Sequence, residues 1–319
     1  MRKHVVPWTF SAALFGSLLV LCAVASADDL ERTLNQTYRG KVFVLRNFWR
    51  GDLLRYDSAG QIIGNATSGF WTTDGLVRVE EVRLTGDTLN LECKRMFMVE
   101  SKDGFDYRER SKKARKREIA IDLGPKPISA ETAGAVLSKI LVSGKADFFS
   151  EMPDYWKPCV KTALQVETHE PGLPLYPLRN GCKFGSRMLT ALSLSSSELG
   201  TETDAGVTPS NNGQDKVILQ PPNSGAKRGG GVSAPKVISA PDPEYSVEGR
   251  EAGFSGTGVF SLFVDNAGIP KQIEVVRPLG YGLDEIGVAT LQTWRFEPAR
   301  KDGQPVSVSI NVEMQFRLQ

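Results

Sequence analysis

Residues 306–318 read Val306-Ser307-Val308-Ser309-Ile310-Asn311-Val312-Glu313-Met314-Gln315-Phe316-Arg317-Leu318. Apolar and polar side chains alternate without interruption. A strand turns successive side chains to opposite faces, so this stretch lays one face on a core and the other in water. Helical spacing would mix the two classes on every face. The backbone edge of such a strand can accept another strand, and Ser307, Ser309, Asn311, Glu313 and Gln315 are the polar residues along it.

The preceding sequence supplies the rest of a small sheet. In Thr257–Asp265, Gly258, Phe260, Leu262 and Val264 alternate with Val259, Ser261 and Phe263. Asp265-Asn266-Ala267-Gly268 reads as a hairpin turn, and Gln272–Arg277 returns as a second strand. A helix is expected from Asp284, as its cap, to about Trp294, with Gly287, Val288, Leu291 and Trp294 facing inward and Pro298 preventing continuation. A shorter helix fits Glu244–Gly253. Residues 232–319 therefore predict an α+β domain with helices packed on a three-stranded antiparallel sheet.

Upstream, the composition shifts. Residues 193–231 are rich in Ser, Gly, Asn, Pro and Thr, including Ser195-Ser196-Ser197, Asn211-Asn212-Gly213 and Gly229-Gly230-Gly231. They predict a flexible linker, and hence a C-terminal domain able to fold by itself. Residues 28–192 predict a β-rich N-terminal domain, a sandwich or small barrel, from short alternating runs separated by turn signals such as Asp74-Gly75 and Gly86-Asp87. One helix is expected there, over Ser129–Ser143, followed by a Pro-rich irregular extension.

The chain starts with a basic Arg2-Lys3-His4, an apolar run from Val5 to Val24 and the small-residue site Ala25-Ser26-Ala27. Residues 1–27 thus read as a signal peptide that directs export to the periplasm. The alternative is a retained anchor in the inner membrane, facing the periplasm. Removing this segment leaves 37 charged residues of each sign, so no net charge drives the mature chain towards nucleic acid. In an oxidising compartment Cys159 and Cys182 are the expected disulfide, because they share the irregular extension, and Cys93 is expected as a buried free thiol.

No catalytic constellation emerges. The mature chain has one histidine, His169, flanked at a distance by Cys159 and Cys182, and no cysteine pair has the short chelating spacing of a structural zinc site. An envelope hydrolase built on His169 or Cys159 is the least favoured reading, and no metal or cofactor is expected. One basic run stands out: Arg108, Arg110, Lys112, Lys113, Arg115, Lys116 and Arg117. It reads as an exposed hairpin loop, or as a patch for anionic lipids or envelope polymers. No aromatic residue interleaves it, as a platform for single-stranded nucleic acid would require.

Several short motifs recur in order across the C-terminal domain. They are Pro241-Asp242-Pro243-Glu244-Tyr245, Gly256-Thr257-Gly258-Val259, Val264-Asp265-Asn266-Ala267-Gly268 and Gly282-Leu283-Asp284. Thr293-Trp294-Arg295-Phe296-Glu297-Pro298-Ala299, Gly303-Gln304-Pro305-Val306 and Phe316-Arg317-Leu318 follow. Together they resemble the TonB C-terminal domain of energy transducers in Gram-negative envelopes. The resemblance implies a non-enzymatic domain whose last strand pairs with the TonB-box segment of an outer-membrane transporter, supporting energy-dependent transmembrane transport. It also implies ExbB and ExbD as partners if the N-terminal segment is retained, and admits a homodimer. Transducers of that family keep their anchor and carry a Pro-rich spacer. Here the anchor reads as cleavable and the spacer is of Gly/Ser type, which favours an adaptor without proton-motor coupling as the alternative.

Overall fold

The computed structural model describes residues 27–318 apart from 102–103, 111–115, 126–127, 143–147, 149, 160–183, 185–186, 189–218 and 221–230. The expected signal peptide but for Ala27, most of the expected linker, His169, Cys182, Lys112, Lys113 and Arg115 lie outside the described residues.

The N-terminal unit begins with α1 (Ala27–Tyr38), whose Leu30 and Leu34 sit one turn apart and are buried. Next come β1 (Val42–Leu45), β2 (Trp49–Arg50), β3 (Leu53–Tyr56), β4 (Thr67–Ser68) and the one-turn helix α2 (Trp71–Asp74). Four longer strands follow: β5 (Leu76–Thr85), β6 (Thr88–Ser101), β7 (Gly104–Glu109) and β8 (Lys116–Asp122). Helix α3 (Ala130–Ile140) runs directly into β9 (Leu141–Val142). Ser129 caps α3 in a reciprocal box: its hydroxyl accepts from the Thr132 backbone at 3.1 Å, and the Thr132 hydroxyl accepts from the Ser129 backbone at 2.9 Å.

Among the described residues these strands form one seven-stranded sheet in the order β3-β8-β6-β5-β1-β9, with β7 also paired to β6. Only β3 and β8 run parallel. The β-rich unit is therefore present, but as one open sheet rather than a sandwich or closed barrel. The second layer comes from helices: Leu30, Leu34, Ala133, Leu137 and Ile140 share a core with Val79, Leu89, Leu91, Ile119 and Ile121. Two amphipathic helices bury that sheet face as well as a second sheet would.

The C-terminal unit contains β10 (Leu219–Gln220), β11 (Lys236–Ser239), α4 (Val247–Glu251), β12 (Gly256–Val264), β13 (Pro270–Arg277) and α5 (Leu283–Thr293). It ends with β14 (Arg295–Glu297), β15 (Ala299–Lys301), β16 (Gln304–Val306) and β17 (Val308–Phe316). The main sheet runs β10-β17-β12-β13, all antiparallel. Three of its strands are those expected from sequence, and β10 comes from the region read as linker. Small two-stranded sheets pair β11 with β14 and β15 with β16. The β12–β13 hairpin turns at Gly268, at φ +78°, where a Cβ would stand 1.8 Å from the Phe296 carbonyl oxygen. Glycine is required there on both counts.

Helix α5 does not use Asp284 as its cap. It starts one residue earlier, with Gly282 in the capping position. Asp284 is fully buried and reaches backwards, accepting from the Leu279 and Gly280 backbone amides at 2.8 Å each. It fixes the loop before the helix.

That loop joins the two units. Tyr281 donates its amide to the Met98 carbonyl at 3.1 Å, the Glu100 amide donates to the Leu279 carbonyl at 3.2 Å, and Gly280 bridges Val99 on β6. Gly280 has φ +81°, and a Cβ on it would lie 2.1 Å from the Met98 carbonyl oxygen. Beside it the Glu285 carboxylate accepts from both the amide and the hydroxyl of Thr72, at 2.8 Å each, and the Gly282 amide donates to the Thr72 hydroxyl at 2.8 Å. One apolar cluster spans both units, with Trp71, Met98, Val99 and Phe105 on one side and Phe260, Leu279, Tyr281 and Leu291 on the other.

The disulfide expectation needs correction. No disulfide joins the two described cysteines, which are not close to each other. Cys93 is a buried free thiol on β6, and burial pushes its pKa up to about 12. Cys159 is itself disulfide-bonded, but Cys182, and with it the expected pairing, lies outside the described residues. No described helix is long and apolar enough to cross a membrane.

Candidate functional site

The terminal strand β17 has two unlike edges. Along one it pairs with β12 over its whole length, from Gly256 opposite Phe316 to Val264 opposite Val308. Along the other, among the described residues, only β10 pairs with it, Leu219 opposite Val312 and Gln220 opposite Asn311. Ile310, Val312, Met314 and Phe316 are all buried and anchor the strand from its inner face. Each such side chain contributes roughly 1.5–3 kcal/mol by leaving water, so the backbone at the outer edge is held in extended form.

The predicted edge residues fall into three groups. Glu313 and Gln315 are exposed and Asn311 is half-buried, as the alternation requires. Ser309 is buried, so strict alternation fails where β17 begins. Ser307 is exposed but lies in the break between β16 and β17, outside the strand.

Among the described residues, the cations of the basic run do not share one surface. Arg117 sits on β8 with its side chain fully buried, donating to the Asp74 carboxylate at 2.8 Å, the Asp74 carbonyl at 2.9 Å and the Gly51 carbonyl at 3.1 Å. Burial works against its charge, and Asp74 beside it compensates. Arg110 lies over the Phe97 ring and pairs with Glu248 of the C-terminal unit at 2.7 Å. Arg108 and Lys116 are exposed. Two of the seven cations therefore hold the fold and the junction, because the strand β8 turns alternate residues inward and the end of β7 meets α4.

Sequence reasoning missed the junction. Its signal is the cluster Leu279-Gly280-Tyr281-Gly282 followed by adjacent acids, Asp284 and Glu285. Both acids are buried, and burial raises both above the ordinary carboxylate range. Their hydrogen bonds are all spent on the protein itself, so they act as ties. Among the described residues no cluster of His, Cys, Asp and Glu is arranged to hold a metal ion.

The C-terminal unit is thus a small antiparallel sheet with a helix behind it and, among the described residues, one edge that is paired at only two positions. Residues 241–318 match the family described as Gram-negative bacterial TonB protein C-terminal, and this part of the chain is homologous to that family. Protein TonB of Vibrio cholerae serotype O1 (strain ATCC 39315 / El Tor Inaba N16961) is 28% identical over 90 residues, which make up 28% of this chain and 37% of that protein. The solution NMR structure of the Pseudomonas aeruginosa TonB C-terminal domain is 20% identical, covers 27% of this chain and 89% of its own, and superposes with a TM-score of 0.24. The homology is to a non-enzymatic family of the periplasmic envelope.

Proposed function

We propose that the C-terminal domain binds an extended, periplasm-facing segment of an outer-membrane TonB-dependent transporter, by strand addition along the outer edge of β17, in support of energy-dependent transport. The observation that carries this reading is the asymmetry of β17: among the described residues, nine positions are paired on one side and two on the other. Backbone bonds would supply affinity, and the exposed side chains of Glu313 and Gln315 would meet alternate residues of the partner. The protein acts in the periplasm, released by cleavage after Ala27.

An adaptor without coupling to ExbB and ExbD is the second reading. It is favoured by the packing of the C-terminal domain on a folded neighbour, where a transducer carries its domain at the end of a spacer.

The test is cysteine cross-linking. Cysteines at Glu313 and Gln315, and at Asn266 in the exposed β12–β13 turn as a control, are placed in the full chain. A cysteine-scanned peptide from the periplasm-facing segment of a transporter is then added under oxidation. Cross-links from 313 and 315 to alternate peptide positions are expected. Reaction no greater than at 266 would remove the proposed edge.

A further inference from the structure

The chain between Trp49 and Ser68 is one hairpin whose ladder opens in the middle. At its base β2 pairs with β4, Arg50 opposite Thr67. Towards its tip Tyr56 bridges Ile62, and the Ile63 amide donates to the Arg55 carbonyl at 2.7 Å. Carried inward, the register of the tip would set Leu53 opposite Asn65. Among the described residues, however, no backbone hydrogen bond joins 51–54 to 64–66. The two strands diverge there around a cleft of about 310 Å³, at the small end of the range of small-molecule sites.

The cause of the opening lies in the sheet behind it. The Gly51 carbonyl accepts from the Arg95 guanidinium at 2.8 Å and from that of Arg117 at 3.1 Å. Asp52 pairs with Arg95 through its carboxylate, and its carbonyl accepts from the Glu118 amide at 2.7 Å. Arg95 and Arg117 are both buried. They draw the first strand onto β8 and away from its hairpin partner. Gly64, at φ +92°, turns the second strand before β4.

The lining is chemically one-sided. It includes Arg50, Arg55 and Asn65, and no acid. Glu118 lies beside Leu53 on β8 but does not line the cleft. Arg50 is held in place: its guanidinium lies over the Phe70 ring, 5.2 Å from the centroid, and 3.8 Å from the Asp74 carboxylate, which already pairs with Arg117. Arg55 is exposed and makes no ion pair among the described residues. Leu53 and Ile63 also line the cleft and are 44% and 50% exposed. Among the described residues of the N-terminal unit, no other large apolar side chain is exposed to this degree. A guanidinium fork matches a carboxylate or phosphate, and an apolar group laid on Leu53 and Ile63 would take their surface out of water.

We infer that this cleft is a binding site for a small anionic amphiphile, a carboxylate or phosphate head on a short apolar chain. Arg50 and Arg55 take the head, and Leu53 and Ile63 take the chain. The occupant is one water-soluble molecule rather than a membrane, because the exposed apolar side chains flank a small cleft and form no broad face. The site belongs to the N-terminal unit and does not depend on the reading of β17.

The probe is hexyl phosphate, titrated into the full chain and followed by backbone amide shifts. Inorganic phosphate and hexanol serve as the two halves of the ligand. Saturable shifts confined to residues 50–55 and 62–66 are expected. Each half alone should bind at least about tenfold more weakly, since it forfeits either the apolar or the charged contact. Arg55→Gln should weaken hexyl phosphate by about tenfold through loss of the charge-assisted bonds. Leu53→Ser should weaken hexyl phosphate and leave inorganic phosphate unchanged. Both positions are exposed, and a thermal melt checks that the variants fold as the wild type does. Arg83→Gln, at an exposed arginine on β5, is the control and should bind as the wild type does. Absence of saturable binding, shifts centred elsewhere, or an equal loss in Arg83→Gln overturns the site. Binding to phosphatidylglycerol vesicles without binding to hexyl phosphate overturns it as well.

Discussion

The C-terminal unit has two contact surfaces of opposite character. At the junction with the N-terminal unit, Gly280 lies against the Met98 carbonyl, Thr72 donates two 2.8 Å hydrogen bonds to the Glu285 carboxylate, and apolar side chains from both units share one core. At the outer edge of β17 the contact amounts, among the described residues, to two residues of β10. Opening the junction would expose the large apolar side chains of that shared core, each at roughly 1.5–3 kcal/mol. Opening the edge returns a few backbone groups to water, where they find partners at once. The junction is costly to open and the edge is cheap to open, as the proposed strand addition at the edge requires.

The sharpest way to break this comparison is at Gly280. Gly280→Val places a β-branched side chain at φ +81° and drives its Cβ into the Met98 carbonyl. A loss of more than about 4 kcal/mol is expected, an exceptional cost for one residue. It should appear in urea melts, with limited proteolysis attacking the two units separately. A variant as stable as the wild type would show that the junction does not hold them together.

Next in size is the buried ion pair. Asp74→Ala leaves the Arg117 guanidinium inside the protein without its counter-charge, and such losses cost about 3–5 kcal/mol. A double variant, Asp74→Ala with Arg117→Met, should recover much of that in the same melt. If the single and double variants are equally unstable, Asp74 matters for something other than this charge.

The junction should also respond to pH. Burial holds Asp284 and Glu285 above their ordinary range, so the folded chain keeps their protons more tightly than the unfolded chain does. Their contribution is then fully present below the unfolded values near about pH 4 and is lost as pH rises through the raised folded values. Melts between about pH 4 and 8 should show this decline. Glu285→Gln, which cannot ionise, should flatten it, and an unchanged slope in that variant would contradict the assignment.

At the edge the expected effects are the smallest. Glu313→Ala and Gln315→Ala remove exposed side chains and should alter stability by less than about 0.5 kcal/mol. Ile310→Ala, one strand face away, should cost about 2–5 kcal/mol. If Glu313→Ala costs as much as Ile310→Ala, the outer face of β17 is packed and the contrast between the two surfaces collapses.

The sequence made the edge legible and the junction illegible, for a physical reason. Alternation in β17 and β12 is a local, period-two signal, so residues 306–318 announced both the strand and its sheet. The capped helix α3 and the hairpin at Gly268 were equally local. Glu285 and Thr72 are 213 positions apart, and nothing near either residue signals the other. The same applies to Arg117, which reads as one more cation in a basic run until β8 turns it towards Asp74. Strand β10 escaped because a short apolar run inside a polar, Pro- and Gly-rich tract carries too little periodicity to assign. The open sheet of the N-terminal unit was mistaken for a sandwich or barrel because its strands alternate in the same way, whichever layer covers them.

The central claim, that the outer edge of β17 takes up a partner strand, has one direct measurement. Isotope-labelled full-length protein is titrated with a peptide from the periplasm-facing segment of an outer-membrane TonB-dependent transporter, and backbone amide exchange is read residue by residue. The account predicts new protection from Asn311 to Gln315, loss of the β10 contact at Leu219 and Gln220, and no change from Leu279 to Glu285. Saturable binding that leaves the β17 amides unprotected, or that alters the junction instead, would contradict it.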